Sequence, residues 1–438
     1  MDAHETQREL FPIGSTGPQI LTGKAARSGS FVDNMRLPIH RWFRYSAGFS
    51  AQWAQQVIEG TVLGPGELVL DPFAGSGTSL IAAQSAGVSS IGIENHPFVY
   101  RIAQAKLNWT ADERQLLEEA LLVLERAKAS GPRGPRAFPL LLTKCYPAET
   151  LTRLEALKHS CLEYDINRPI GQLLWLSLTS ILRECSPVGT AQWQYVLPKK
   201  AKARATDPFV AFVAKIKTFC SDMAEAKACM KETSANLLRF DARKIQLPEM
   251  RGRVRLVITS PPYPNNYDYA DATRLEMTFW DEIETWGDLQ HTVRHRLIRS
   301  CSQHAAAEKL SLDRLLSDPI IAPIRDDLRK VCTALEEIRE TKGGKKTYHT
   351  MVAAYFVDLA NVWRALRPLC TDAAEACFVI GDSAPYGVHV PVEQWLGHLA
   401  IASGFRSFRF EKLRDRNLKW KNRKHRVPLK EGYLRVYA

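Results

Sequence analysis

The stretch from Glu67 to Glu94 constrains this chain more than any other. It reads ELVL, DPFAGSGTS, LIAAQSAG and, two residues later, SIGIE. Glu67–Leu70 has the apolar texture of a short buried strand. The Ala-rich run predicts a helix that ends at Gly87, and Ser90–Glu94 predicts a second strand. Strand, tight turn, helix and strand make the unit from which parallel, nucleotide-binding sheets are assembled. In such sheets ligands lie beyond the carboxyl ends of the strands, where a strand turns into the next helix.

The turn between them is Asp71-Pro72-Phe73-Ala74-Gly75-Ser76-Gly77-Thr78. Gly75 and Gly77 let the backbone approach a ligand closely and take conformations closed to residues with a Cβ. The first N–H groups of the following helix have no intrahelical acceptor and favour anionic or polar ligand groups. A Walker phosphate loop needs a Lys after its last glycine, where Thr78 stands here, and a dinucleotide fingerprint needs a glycine where Leu80 stands. Glu94 follows Asp71 by 23 positions (94 minus 71) and ends the next strand, close to the spacing of a ribose-binding acid. The expected ligand therefore carries a ribose and needs no pyrophosphate. S-adenosylmethionine (SAM) meets that description.

Elsewhere strands and helices alternate, with two interruptions. Phe49–Ile58 has helical spacing. Residues 110–235 are mostly helical by pattern, with a basic, acid-free loop from Leu197 to Thr206. Strand texture returns at Asn236–Phe240 and Val254–Thr259. Residues 276–345 are polar and helical. A helix at 351–366 then leads to a strand at Ala376–Ile380, a helix at 391–402 and two strands near Arg406–Phe410 and Tyr433–Tyr437 that suit an antiparallel hairpin. The reading is an α/β fold, a mainly parallel sheet with an antiparallel last hairpin and large helical insertions. The expected segments are an extension (1–36), sheet-domain parts (37–109, 236–275 and 350–438) and helical insertions (110–235 and 276–349).

Charge points to the partner. With 59 Lys and Arg against 47 Asp and Glu, the formal charge is +12, a balance that favours polyanions, nucleic acid first. The run from Arg409 to Lys430, around Trp420, is rich in Lys and Arg and reads as a DNA-backbone contact. Nine cysteines without a CxxC read as reduced thiols, neither a disulfide frame nor a zinc site. His291 and His295 would share a helix face, but no carboxylate stands at zinc-motif spacing, so no metal is expected. No apolar run approaches the roughly 20 residues that span a bilayer, and the polar MDAHETQREL start lacks a signal-peptide core. The expectation is a cytoplasmic protein.

The second informative motif is Thr259-Ser260-Pro261-Pro262-Tyr263, at the end of an apolar strand. Two prolines fix φ and donate no hydrogen bond, so carbonyls near them stay available as acceptors. Ser260 adds a polar side chain and Tyr263 a flat ring. Together they suit an extrahelical base that carries an exocyclic amine.

DPFAGSGT together with TSPPY resembles the amino-group DNA methyltransferases, which methylate N4 of cytosine or N6 of adenine with SAM. The resemblance covers roughly 37–108, 236–275 and 350–438, and it implies a Rossmann-like SAM-dependent methyltransferase sheet. It gives the cofactor role to Asp71, Pro72, Phe73, Ala74, Gly75, Ser76, Gly77, Thr78 and Glu94, and the catalytic role to Ser260, Pro261, Pro262 and Tyr263. Asp241, after NLLRF, is read as an acceptor for the adenine amine of SAM or as a helix cap, and Asn265, Asn266 and Tyr267 as base or cofactor contacts or as a solvent loop. The S-P-P-Y spelling resembles the N4-cytosine subgroup, with N6-adenine methylation as the alternative. A catalytically inactive nucleic-acid-binding protein of the same fold is a third reading. C5-cytosine methylation is disfavoured because no Pro-Cys pair occurs. The implied partners are double-stranded DNA and, in a restriction-modification or phage-defence setting, a cognate restriction endonuclease. The insertion 110–235 would read the target, with 276–345 open to a share of that task. Recognition sequence and oligomeric state are not legible.

Overall fold

A computed structural model describes residues 31–130, 137–190, 196–202, 204–342, 346–416 and 427–438. Its strands, in chain order, are β1 (Leu68–Asp71), β2 (Ser90–Ile93), β3 (Val188–Thr190), β4 (Val196–Ala201), β5 (Ala235–Leu238), β6 (Val254–Thr259), β7 (Cys370–Gly381), β8 (Ser407–Arg416) and β9 (Leu429–Tyr437). Seven of them form one sheet in the order β5-β2-β1-β6-β7-β9-β8. β5, β2, β1, β6 and β7 are parallel, and β9 runs antiparallel to both β7 and β8. The mixed α/β fold, mainly parallel with an antiparallel last hairpin, matches the architecture expected from the sequence.

All four residues of β1 and of β2 are buried, as expected where helices cover both faces of a parallel sheet. Alternate side chains enter opposite layers. Leu68, Leu70, Ala376, Phe378 and Ile380 pack with the helix Tyr348–Leu366 and with Val392–Ala402. Val69, Leu256, Ile258, Cys377 and Val379 pack with Trp53, Ala54, Ile58, Ala82 and Ala83 on the other face. An aromatic stack anchors each layer, Trp363 on Phe378 and Trp53 on Tyr433, both with centroids 4.3 Å apart.

From β1 the chain moves to β2 and later to β5 on one side. From β6 it moves to β7 on the other. The strand order thus reverses between β1 and β6, and their carboxyl ends open the crevice where such sheets bind ligands.

The helices Glu113–Ala129, Ala148–Cys161, Pro169–Cys185 and Pro208–Cys229 build a second apolar cluster beside the sheet. Asp222, fully buried, joins it to the segment before the sheet. Its carboxylate accepts hydrogen bonds from Ile39 N (3.1 Å), Trp42 Nε1 (2.9 Å) and the Arg41 guanidinium. The basic segment expected to be a loop from Leu197 departs from that expectation, because Val196–Ala201 pairs with β3 as an antiparallel ribbon. A two-stranded ribbon in solvent needs no apolar alternation and tolerates charges and proline on its edge, so its sequence carries no strand signal.

Residues 276–345 behave differently. Ile298, Leu316, Ile321, Ile324, Leu328, Cys332 and Leu335 belong to the same core as β1, β6 and β7. His291 and His295 do not share a helix, since the short helix Leu289–Thr292 stops at Val293, whose φ of −128° is not helical, and His295 sits in a separate 3-10 turn. All nine cysteines are free. Among the described residues no helix is long and apolar enough to cross a membrane.

Candidate active site

Both sequence motifs open into one cavity at the β1/β6 switch point. It is lined by Tyr45 and Ala47–Phe49, by Pro72–Ser76 and Thr78, by Ile93–His96, by Phe240–Ala242, by Ser260, Pro262 and Tyr269, and by Arg296–Ile298.

The glycine turn is held by its own backbone. Ala74 N donates to Ile93 O and Gly77 N to Ala74 O, both at 2.9 Å. Gly77 takes φ +87° as the left-handed cap of the helix Thr78–Ser85, with no side chain capping it. At Gly75, with φ +54°, the left-handed conformation favours glycine, and an added Cβ would lie a tight 3.2 Å from the Tyr45 ring.

Asp71 faces inward. Only 1% exposed, it accepts hydrogen bonds from Phe73 N (2.9 Å), Ser79 Oγ and Thr259 Oγ1. Burial raises its pKa to about 6 against those three bonds. Asp71 and Gly77 are not among the lining residues. They shape the turn, and the Asp71–Thr259 bond ties the glycine motif directly to the strand end that carries Ser260.

Glu94 does line the cavity. One oxygen accepts from Gly75 N (2.9 Å) and the other from His96 N (2.7 Å). Burial raises its pKa to about 7. Each oxygen keeps acceptor capacity for a ligand hydroxyl.

At the other wall Ser260 Oγ donates to Val379 O at 3.3 Å. Ser260 and Pro262 face the cavity, while Pro261 and Tyr263 do not line it. The Arg416 guanidinium lies 5.1 Å from the Tyr263 ring centroid, and burial raises the phenol's pKa. Beyond the turn Ser383 Oγ donates to Pro264 O (2.5 Å). Asn265 and Asn266 border a second cavity with Tyr348, Asp382, Tyr386 and Arg416. Tyr267 is buried beside Tyr269.

Asp241 lines the cavity and also caps a 3-10 turn through Arg243 N. Its carboxylate is gripped by the Arg243 guanidinium, which reaches Asp358 as well. Asp358 in turn holds Arg299 through the backbone N–H (3.0 Å) and the guanidinium (2.6 Å). This chain of charges, with Asn95 Nδ2 donating to Arg296 O (2.6 Å), fixes Arg296–Ile298 as a wall. Sequence reasoning missed that wall, the Tyr45–Phe49 segment and Tyr269, because none carries a motif. The one available signal was SAGFS, a run of small residues that lets backbone approach a ligand.

The centre of the basic run, residues 417–426, lies outside the described residues, and so does Trp420. Asp268, Cys301 and His304 bring ligand-type atoms within 4.8 Å of one another. Arg294 already pairs with Asp268 at 2.7 Å, which opposes a second cation there.

Comparison with known proteins agrees with this geometry. A DNA methylase family (N6/N4 type) matches residues 21–105. The chain is 25% identical over 434 residues to the Type II methyltransferase M.BsoBI of Geobacillus stearothermophilus, covering 88% of this chain and 82% of that one. It is 27% identical over 405 residues to the Type II methyltransferase M.AvaI of Nostoc sp., covering 86% and 81%. A shorter match, 40% over 63 residues, links 14% of it to 12% of the Type II methyltransferase M.MjaII of Methanocaldococcus jannaschii. The fold is that of a Rossmann-like methyltransferase sheet. The chain is similar to the amino-group (N6/N4) DNA methylases, whose family model matches its first motif and whose Type II relatives align along most of its length.

Proposed function

We propose that this protein transfers a methyl group from SAM to the N4 amine of cytosine within a specific duplex DNA sequence, as the modification enzyme beside a cognate restriction endonuclease. One observation carries the reading. The glycine turn and the SPPY turn, 180 residues apart in sequence, wall the same cavity and are joined through Asp71 and Thr259. The relatives' designation as Type II methyltransferases supports it.

The cavity suits the cofactor in its chemistry. Phe73, Ile93, Phe240 and Ile298 offer apolar surface for a purine. Glu94 would accept the ribose hydroxyls, and Asp241 would accept from the adenine amine while keeping Arg243. SAM supplies an electrophilic methyl group when bound. The chain's own residues deal with the poor nucleophile, an amine whose lone pair is delocalised into the base. Ser260 Oγ and the Pro261 carbonyl would accept hydrogen bonds from the NH₂ group and favour a more sp³-like nitrogen. Tyr263 would stack on the extrahelical base. Holding the amine in line with the methyl carbon is the main source of rate. The helical segment 110–235 would read the target sequence, with β4 lysines on the phosphates.

Ser260→Ala tests the assignment. Loss of one neutral hydrogen bond costs about 1 kcal/mol, so kcat on duplex DNA should fall about fivefold while the Kd for SAM stays unchanged. A wild-type rate would remove Ser260 from the mechanism. A variant that loses only SAM affinity would move it to the cofactor site.

A further inference from the structure

Lys106, the last residue of the helix Pro97–Lys106, is 2% exposed. Its Nζ donates to His40 O at 3.1 Å. No carboxylate pairs with it among the described residues, although a lysine buried this deeply ordinarily has one. Lys158 is the internal contrast, 3% exposed and paired with Asp281 at 2.7 Å. A buried ammonium without a counter-ion is costly, and burial pulls the Lys106 pKa down to about 7.

Its surroundings show what is missing. Lys106 borders a small cavity together with Asn34, His40, Phe43, Ser76 and Thr78. Tyr45, Gly48, Ser76 and Thr78 line both this cavity and the main one, so the two adjoin. Ser76 and Thr78 belong to the uncapped start of the helix Thr78–Ser85, whose free N–H groups also favour an anion. His40, the other titratable group against Lys106, has its pKa lowered to about 3 by burial and by the lysine's charge, so it is neutral and competes for no anion. The ammonium, two hydroxyls and a helix start thus border one small cavity that opens onto the main one.

We propose that Lys106 is the counter-ion for the α-carboxylate of the cofactor's amino-acid moiety, and so draws that moiety to the side of the cavity that Ser76 and Thr78 border. The inference rests on the SAM reading above. It makes Lys106 a cofactor-binding residue that neither motif contains.

A cycle of two ligands and two proteins tests it by calorimetry. SAM is compared with decarboxylated SAM, which lacks only the carboxylate, on wild type and on Lys106→Met. A charge-assisted hydrogen bond contributes about 1.5–3 kcal/mol, equivalent to roughly 10- to 150-fold. Wild type should therefore bind SAM at least tenfold more tightly than the decarboxylated form, and Lys106→Met should bind both alike. Equal affinities in wild type overturn the proposal even if the variant fails to fold, as does a variant that discriminates as strongly as wild type. Wild type that binds neither ligand contradicts the SAM reading itself, and the inference falls with it.

Discussion

The two helical interruptions of the sheet look alike in sequence and play different parts in the structure. The first, 110–235, gathers its leucines into a cluster beside the sheet, and none of its described residues lines the main cavity. The second, 276–349, sinks Leu316, Leu328 and Leu335 into the sheet's own core and carries Arg296–Ile298 to the cavity wall. The first cluster is shared with Ile81, Phe98 and Ile102 of the helices that cover the sheet and with Met277, Phe279 and Val293 of the second insertion. The insertions differ in that the second also enters the core of β1, β6 and β7 and reaches the cavity wall.

Two substitutions of comparable cost should separate them. Asp358 is 2% exposed and holds both Arg243 and Arg299. Asp358→Ala leaves those guanidinium groups short of a partner, so it should lower stability by roughly 3–5 kcal/mol. It should also weaken SAM binding, because the Arg296–Ile298 wall loses its anchor. Leu173 is fully buried in the first insertion, and Leu173→Ala should cost about 2–5 kcal/mol through the cavity it leaves. In the protein that remains folded, SAM affinity should be that of wild type. Chemical denaturation with calorimetry at a permissive temperature reads both quantities. Equal losses of SAM affinity in the two variants would erase the distinction.

The smallest effect concerns DNA. Lys199 and Lys200, on β4, are exposed. If they meet phosphates, replacing both with Ala should weaken target and non-target duplexes by the same factor. The log–log salt dependence should become shallower by up to about 0.9 for each phosphate left unneutralised. An unchanged slope would return the ribbon to plain solvated surface. Unequal weakening of the two duplexes would mean that these lysines read sequence.

The sheet was legible because its strands are buried on both faces and read as apolar runs, and because Gly75 and Gly77 satisfy a local backbone demand. The two motifs were legible for the same reason, since a turn's geometry dictates residues at short range. What escaped depends on distance in sequence. Asp71 reads as a ligand contact until Thr259, 188 positions away, proves to be its partner. Arg296–Ile298 owe their place to Asp358 and Arg243, which no local pattern connects. β4 stayed hidden because an exposed ribbon needs no apolar stripe.

The central claim is amine methylation of cytosine at a cavity built from both turns. Its most direct test incubates purified protein with duplex DNA and methyl-labelled SAM, then digests the DNA to nucleosides for mass spectrometry. The account predicts label in N4-methylcytosine. Label in N6-methyladenine would overturn the choice of base while keeping the site, and no labelled nucleoside on any duplex would contradict the claim that this cavity catalyses methyl transfer.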